Sequence, residues 1–225
     1  MKQPIWKRFL SYFYSFCLED TQSNINPHLQ VFLKQGRYQL CTDHAVYSYG
    51  DLYDNFTRAF DAIRLDELDV RKVLVLGFGL GSIPIILERL FEKEYDYTGV
   101  EIDKKVIELA NKYVISEIKS KVDLVCADAF QFVMNCKEKY DLITVDVFLD
   151  DVIPASFEKD EFLNRLSSIL SDDGLIFYNR LSHNKKDIEL TEAFYEQHFK
   201  PNFPNAAYIN VDGNWMLLSR KDIIR

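Results

Sequence analysis

The pattern of apolar and polar positions divides the chain near residue 72. Before that point, two short strand-like runs at 29–33 and 37–42 flank Lys34-Gln35-Gly36, which is typical of a hairpin turn. Residues 51–65 then carry apolar side chains at helical spacing. We therefore expect residues 1–50 to form an N-terminal arm and a small β-hairpin region, followed by a domain over 51–225.

From residue 72 onward, apolar runs alternate with amphipathic segments. The first run, Val73-Leu74-Val75-Leu76, is continuous, as in a parallel strand that is buried on both faces. We predict strands at 73–76, 97–100, 122–126, 142–145 and 174–178, and helices at 82–92, 104–113, 130–135, 158–170 and 187–198. This alternation predicts an open, mostly parallel sheet with right-handed crossovers.

The C-terminal segment departs from this alternation. Two strand-like runs at 206–211 and 215–219 are joined by Asp212-Gly213-Asn214, a strong hairpin signal. The last strand should therefore run antiparallel. The expected fold class is α/β, with a Rossmann-like domain that follows the small N-terminal β region.

Composition narrows the classes of function. A formal net charge of -8 makes nucleic acid an unsuitable partner, because nucleic-acid binding depends on Lys and Arg. The four cysteines show no CxxC spacing and the four histidines no HExxH spacing, so no metal site is expected. No GxSxG elbow is present. We expect a cytoplasmic protein that binds a small molecule.

Residues 1–18 combine three basic residues with many aromatic ones. The segment is a poor secretion signal, because serines interrupt it and Glu19-Asp20 follows it in place of small residues. No run approaches the length of a membrane span, and the polar positions are not rich in Lys and Arg. We expect this arm to bury its aromatic side chains on the domain or on a second subunit, which would make a homodimer, and expect no membrane binding.

A glycine-rich turn, Gly77-Phe78-Gly79-Leu80-Gly81, connects the first long strand to its helix. Glycines there let the backbone bend sharply and let a ligand approach the main chain. Glu101 ends the next strand, where a carboxylate can accept hydrogen bonds from a ribose diol, and Asp128 follows the third strand. A dinucleotide site would have Gly or Ala at the sixth place, which here is Ser82. A tight turn with solvated acids and no ligand remains an alternative.

The Gly-x-Gly-x-Gly form, the acid after the third strand and the terminal hairpin resemble the class I S-adenosylmethionine-dependent methyltransferase fold. That fold has a mostly parallel seven-stranded sheet with an antiparallel C-terminal strand. The resemblance narrows to the spermidine synthase family through segments spread over most of the chain: 38–42, 47–49, 73–81, 100–103, 127–129 and 140–146.

The resemblance implies an adenosyl sulfonium donor, either S-adenosylmethionine or its decarboxylated form. It implies that Glu101 holds the ribose and that Asp128 with Ala129 holds the adenine, and that Asp146 borders the transfer site. The predicted donor-binding residues are Gly77, Phe78, Gly79, Leu80, Gly81, Glu101, Ile102, Asp128 and Ala129.

Two departures from the spermidine synthase pattern bear on the reaction. Leu80 stands where these enzymes carry an Asp that binds the donor amine, and Gly50 stands where they carry Gln or His. Both changes remove side chains that would bind the nitrogen atoms of a polyamine or of the donor. The sequence therefore favours methyl transfer from S-adenosylmethionine to a small acceptor. Amines are one class of acceptor. The alternatives are a divergent polyamine aminopropyltransferase and an adenosyl-binding protein without turnover.

For catalysis, Asp146 is the first candidate because it ends the fourth strand, where ligands of open α/β sheets bind. Asp150 and Asp151 are second candidates, and loop solvation or helix capping is their alternative role. Tyr49 is the predicted acceptor-binding residue. Asn179, at the end of the fifth strand, is a cleft residue or a turn former.

Overall fold

The structure is a computed structural model that describes residues 3–43, 45–149, 152–211 and 213–225. Its first sheet is antiparallel, with four strands in chain order: β1 (Phe16–Thr21), β2 (Leu29–Lys34), β3 (Arg37–Cys41) and β4 (Val46–Ser48). The predicted hairpin is β2–β3. Leu29, Val31 and Leu33 are fully buried on one face of β2, as the period of two in a half-buried strand requires.

The second sheet has seven strands in the order β10-β11-β9-β8-β5-β6-β7. Strands β5 to β9 run parallel to one another, and β11 is antiparallel to both β9 and β10. This arrangement confirms the predicted fold class. The strands are β5 (Lys72–Leu76), β6 (Asp96–Glu101), β7 (Val122–Cys126), β8 (Tyr140–Val145), β9 (Leu170–Leu181), β10 (Ala207–Asn210) and β11 (Asn214–Leu218).

Helices cover both faces of this sheet, so the central strands are apolar on both sides. Val73 and Val75 of β5 join one core cluster, and Leu74 and Leu76 join the other. The helices are α1 (Ile5–Leu10), α2 (Asp54–Asp61), α3 (Ser82–Leu90), α4 (Lys104–Tyr113), α5 (Ala129–Asn135), α6 (Asp160–Ile169), α7 (Lys185–Phe194) and α8 (Lys200–Asn202), with a π-helical segment (Tyr195–Phe199) between the last two. Among the described residues, no helix is long and apolar enough to cross a membrane.

The order of strands creates a crevice at the carboxyl ends of β5 and β8. From β5 the chain builds β6 and β7 on one side, and then returns to place β8 and β9 on the other side. Ligands of open α/β sheets bind at such a reversal of strand order. Gly77 and Asp146, which immediately follow β5 and β8, therefore meet at this crevice.

The helix predicted over 51–65 is interrupted in the structure. A 3-10 turn (Gly50–Leu52) precedes α2, and Tyr53 between them leaves helical geometry at φ -83° and ψ 81°. Strand β9 begins earlier than predicted, directly after α6, and its register against β8 shifts between Tyr140 and Leu142. The Asp172-Asp173-Gly174 run, which resembles a turn in the sequence, belongs to this irregular part of the strand.

Candidate active site

A cavity of about 790 Å³ opens at the carboxyl ends of the central strands. Its lining comes from the glycine turn after β5, from the ends of β6, β8 and β9, from the start of α2 and from the β10–β11 hairpin. Both sheets contribute to it, because Val46 and Tyr47 of β4 lie in the wall. The volume is within the range of pockets that enclose small organic ligands.

The glycine turn lines the cavity through two of its glycines, Gly77 and Gly79. At Gly77 the backbone has φ +85°, and a Cβ atom there would lie 2.1 Å from the carbonyl oxygen of Asp146. At Gly79 φ is +53°, and a Cβ atom would lie 3.3 Å from the carbonyl oxygen of Tyr47. Gly77 therefore allows β5 and β8 to end in contact, and Gly79 allows the turn to pass close to β4.

The other three residues of the turn, which were also predicted to bind the donor, lie away from the cavity lining. Phe78, Leu80 and Gly81 do not line the cavity. The Phe78 ring fills the space above Gly99 of β6, and Leu80, which is 1% exposed, belongs to the hydrophobic core. The side chain of Leu80 therefore packs in the core and leaves no side-chain group of its own at the cavity wall.

Glu101 lines the cavity at the end of β6. Its Oε2 accepts a hydrogen bond from the Gly79 amide at 3.0 Å, and its Oε1 accepts one from the Asp103 amide at 3.1 Å. Burial raises the pKa of this carboxyl, although the two amides act in the opposite direction. The carboxylate is thus fixed against the glycine turn, and each oxygen keeps lone-pair capacity for the hydroxyls of a ribose.

Asp128, Ala129 and Ile102 form an adjacent part of the wall. Asp128 caps α5, since its Oδ1 accepts a hydrogen bond from the Gln131 amide at 2.8 Å. Ile102 is 42% exposed, which leaves an apolar surface at the cavity. This combination of an apolar wall and a carboxylate acceptor fits a purine with an exocyclic amino group.

Asp146 lies at the centre of a hydrogen-bond chain in the cavity. Its Oδ1 accepts from Asn179 Nδ2 at 2.8 Å, and its Oδ2 accepts from the Tyr53 hydroxyl at 3.0 Å. Asn214 Nδ2 in turn donates to Asn179 Oδ1 at 2.8 Å, which fixes the orientation of the Asn179 amide. Burial raises the pKa of Asp146 to about 6, against the opposing effect of the two donors. A carboxyl with this pKa is suited to general-base catalysis near neutral pH.

One predicted site residue that the structure describes, Tyr49, lies away from Asp146. Tyr49 does not line the cavity, because its hydroxyl donates to Gln35 Oε1 at 2.9 Å on the N-terminal sheet. The acceptor-binding role of Tyr49 therefore stays a prediction, and the lining of the cavity does not support it. Asp150 and Asp151 lie outside the described residues.

The lining includes polar residues that the sequence analysis did not single out, among them Tyr53, Asn214 and Asp187. Tyr53 falls inside the segment predicted as one helix, and Asn214 belongs to the predicted hairpin turn. Because a structural role already explained each residue, nothing in the sequence assigned either one to the site. Asp187 lies in the first turn of α7. For Asn179, which had two alternative roles, the structure shows the cleft position.

The cavity is strongly acidic. Among the lining residues that the structure describes, five carboxylates face one guanidinium and one imidazole: Asp54, Glu101, Asp128, Asp146 and Asp187 against Arg58 and His183. An excess of carboxylates between low-dielectric walls raises the local concentration of cations. The site is therefore matched to a positively charged ligand.

The comparisons with known proteins agree with this geometry. Over 113 residues the chain is 38% identical to a polyamine aminopropyltransferase of Methanocaldococcus jannaschii, which covers 47% of the chain and 37% of that protein. It is 29% identical over 118 residues to the eEF1A lysine and N-terminal methyltransferase of Bos taurus, covering 48% of the chain and 17% of that protein. The chain thus matches less than half the length of these curated relatives.

The crystal structure of spermidine synthase from Thermotoga maritima superposes with a TM-score of 0.67 at 19% identity, covering 90% of this chain and 71% of that one. This likeness supports the fold. The sequence model of the spermine/spermidine synthase domain matches residues 53–212, a span that contains the glycine turn, Glu101, Asp128 and Asp146. Since this span is well over half of the 225 residues, the chain belongs to the spermine/spermidine synthase domain family.

Proposed function

We propose that this chain transfers an aminopropyl group from decarboxylated S-adenosylmethionine to a cationic amine. The observation that carries the proposal is the Asp146 carboxylate, held between Tyr53 and Asn179 in an acidic cavity. An amine acceptor is protonated near neutral pH and must lose a proton before it can attack. A buried carboxylate with a pKa near its working pH can accept that proton.

The reaction then needs little further chemistry from the protein. The neutral nitrogen attacks the carbon next to the sulfonium, a C–N bond forms, and the C–S bond breaks. The sulfur keeps the electron pair and leaves as the neutral thioether of methylthioadenosine. Asp146 holds the proton that the acceptor lost before the attack, and the product nitrogen is a secondary ammonium. The sulfonium is already activated, so the protein contributes mainly by aligning the two substrates and excluding water.

Two observations favour aminopropyl transfer over methyl transfer. The decarboxylated donor carries two positive charges, whereas intact S-adenosylmethionine adds a carboxylate, and the five lining carboxylates favour the more cationic molecule. The aminopropyltransferase relatives point in the same direction. Methyl transfer, which the sequence departures favour, is therefore the second candidate.

Methyl transfer is supported by the missing acid at position 80 and by the similarity to a methyltransferase. Because Leu80 is in the core, this support rests on the absence of a carboxylate and not on a contact made by leucine. A donor that keeps its own carboxylate would meet less repulsion at this turn than in an enzyme with an acid there.

The discriminating experiment incubates the protein with each donor and a panel of di- and triamines, and identifies the nucleoside product. Methylthioadenosine formed from the decarboxylated donor is the expected result. S-adenosylhomocysteine formed from the intact donor would replace the proposal by methyl transfer. Neither product across the panel would favour a binding protein without turnover.

Variants connect this activity to the site. Asp146→Asn should lower kcat by about 10²–10⁴-fold, the usual range for loss of a general base. Asp123→Asn, an exposed aspartate of β7 that pairs with Lys121, is the matched control and should keep full activity. Equal activity of the two variants would remove Asp146 from the mechanism.

Glu101 gives a separate prediction for donor binding. Glu101→Gln should weaken the binding of adenosyl ligands by about 1–3 kcal/mol, because the ribose hydroxyls lose a charged acceptor. Isothermal titration with methylthioadenosine measures this effect without any turnover. An affinity unchanged from the wild type would overturn the assignment of Glu101 to the ribose.

A further inference from the structure

One aromatic residue of the cavity wall, Tyr47, has no part in the proposed reaction. It is half-buried on β4, and its carbonyl oxygen would lie 3.3 Å from a Cβ atom placed on Gly79, so its backbone runs against the glycine turn. The Tyr47 hydroxyl donates to Asn26 Oδ1 at 3.2 Å, and Asn26 Nδ2 donates to Asp103 Oδ2 at 2.7 Å. The side chain of Tyr47 is therefore fixed at both ends.

The Tyr47 ring crosses the same gap as the Glu101 side chain. Glu101 joins the glycine turn to the residues after β6, because its two oxygens accept hydrogen bonds from the amides of Gly79 and Asp103. Tyr47 begins beside Gly79 and ends at Asn26, which is the partner of Asp103. Both side chains line the cavity. A ribose bound to Glu101 would therefore lie beside the ring of Tyr47.

The positive charge of an adenosyl donor lies on a group that cannot form ordinary hydrogen bonds. A sulfonium has no N–H or O–H, and its sulfur is bonded to the C5′ carbon of the ribose, so a ribose at Glu101 brings the sulfonium to the same wall. Quaternary ammonium groups share this property, and proteins bind them against the negative faces of aromatic rings, within about 6 Å of the ring centre. The Tyr47 ring is suited to bind a sulfonium in the same way.

The glycine turn itself offers this charge no carboxylate, because Leu80 is 1% exposed and belongs to the core. A nearby aromatic ring is then the remaining group at this part of the wall that attracts a cation without a hydrogen bond. We infer that the ring of Tyr47 binds the sulfonium of the donor and that Asn26 positions the ring. The inference rests on the proposed function in one respect, namely that the ligand is an adenosyl sulfonium.

Such a contact distinguishes the donor from the product. Transfer of the aminopropyl group converts the sulfonium into a neutral thioether, which an aromatic ring attracts less than a cation. The charge on sulfur is already falling in the transition state, so the ring stabilises the bound donor more than the transition state. Tyr47 should therefore lower the KM for the donor without raising kcat, and it should favour the donor over methylthioadenosine.

Isothermal titration with two matched ligands tests this inference. They are decarboxylated S-adenosylmethionine and its thioether analogue, which lacks the S-methyl group and with it the sulfonium charge. Tyr47→Leu should reduce the preference for the sulfonium by about three- to thirtyfold. Tyr47→Phe keeps the ring and should keep most of the preference. The same substitution with a pentafluorinated ring keeps the shape, reverses the polarity of the ring face and should lose the preference. Tyr208→Leu, at a half-exposed tyrosine outside the cavity lining, is the matched control.

These titrations involve no turnover, so they remain decisive if the protein does not transfer an aminopropyl group. S-adenosylmethionine and S-adenosylhomocysteine form the equivalent pair of ligands for methyl transfer. Where turnover is measured, Tyr47→Leu should raise the KM for the donor at an unchanged kcat. A fall in kcat at an unchanged KM would overturn the inference.

Two results of the titrations would also overturn it. An equal loss of affinity for both ligands in Tyr47→Leu would leave the ring with a packing role alone. A preference that is the same in the phenylalanine and pentafluorinated variants would place the sulfonium away from the ring face. Circular dichroism checks the fold of each variant, and the two ring variants decide the question if Tyr47→Leu does not fold.

Discussion

At the scale of single residues, the burial of Asp146 and its two hydrogen-bond donors together set the pH at which its carboxyl becomes charged. Activity needs the carboxylate form, so kcat/KM should rise with pH through about 6, the raised pKa of Asp146. Tyr53→Phe removes one donor to the carboxylate, which raises the pKa further and moves the acidic limb to higher pH. Tyr208→Phe, a half-exposed tyrosine of β10, is the control. A limb that stays in place in the Tyr53→Phe variant would contradict the prediction.

Asn214 should influence the same limb without touching Asp146. Its amide donates to Asn179 Oδ1, so the NH₂ group of Asn179 faces Asp146. In Asn214→Asp the new carboxylate can only accept, which turns the Asn179 amide around and adds a negative charge nearby. Both effects raise the pKa of Asp146. The acidic limb of the kcat/KM profile should therefore shift to higher pH by more in Asn214→Asp than in Asn214→Ala. A larger shift in Asn214→Ala would refute this chain of contacts.

The raised pKa of Asp146 also predicts that this proposed general base destabilises the fold in its charged form. A carboxyl whose folded pKa lies above its unfolded value favours folding at low pH, and this contribution is lost as pH rises from about 4 to about 6. Asp146→Asn should therefore raise the free energy of unfolding by about 1–2 kcal/mol at pH 7 and change it little at pH 4. Thermal denaturation at both pH values measures this difference. A lower free energy of unfolding in Asp146→Asn than in the wild type at pH 7 would contradict this prediction.

Sequence reasoning identified the acids of the site better than their partners. Glu101, Asp128 and Asp146 follow strands, and strand ends can be read from apolar runs. Tyr53 and Asn214 reach the cavity from distant parts of the chain, and no local period connects them with Asp146. Their roles depend on tertiary contacts, which one sequence does not specify.

At the scale of elements, the turn after β5 depends on the close approach between Gly77 and the backbone of Asp146. Gly77→Ala would place a Cβ atom 2.1 Å from the Asp146 carbonyl oxygen, in a backbone conformation that L-residues avoid. The expected loss in the free energy of unfolding is about 3 kcal/mol or more, together with loss of activity.

The matched control for this prediction is Gly36→Ala, in the β2–β3 hairpin. Its φ is also positive, at +73°, but the nearest atom that a Cβ would meet is the side-chain hydroxyl oxygen of Tyr12 at 3.2 Å, and not a backbone atom. We expect that variant to lose about 1 kcal/mol. Urea denaturation compares the two variants, and equal losses would show that backbone conformation alone sets the cost at Gly77.

The elements that sequence predicted best are those that the core defines. The apolar runs of β5 and β8 and the β10–β11 hairpin were found because burial on both faces and turn residues leave a clear pattern. Strand β1 was missed because Phe16–Thr21 contains an acidic pair, shows no regular alternation of burial and lies at a sheet edge. The interruption at Tyr53 was missed because the apolar spacing continues across it.

At the scale of the whole molecule, an ion network joins the arm, the N-terminal sheet and the main domain. Asp51 binds Arg37 and Arg89, at 2.7 and 3.1 Å, and Arg89 also binds Glu117 at 2.9 Å. Burial alone would raise the pKa of Asp51, but the two arginines outweigh it and lower the pKa. The network thus favours the charged carboxylate.

Asp51→Ala should lower the free energy of unfolding by about 2 kcal/mol at pH 7, because Arg37 and Arg89 lose their buried partner. A depressed folded pKa makes this contribution present above about pH 4 and lost as pH falls through the folded value, so the difference from wild type should shrink in acid. Asp123→Ala, which removes an exposed pair with Lys121, is the control. A difference that stays constant down to low pH would rule out a charge effect.

The hydrophobic core extends across both sheets. Leu29, Val31 and Leu40 of the N-terminal sheet belong to the same buried cluster as Phe56 of α2 and Ile86 of α3. The family match begins at residue 53, but the hydrophobic core includes residues that precede it in the chain. A fragment cut at the family boundary would leave α2 and α3 uncovered on one side and would not be an autonomous folding unit, so recombination with relatives must exchange both sheets together.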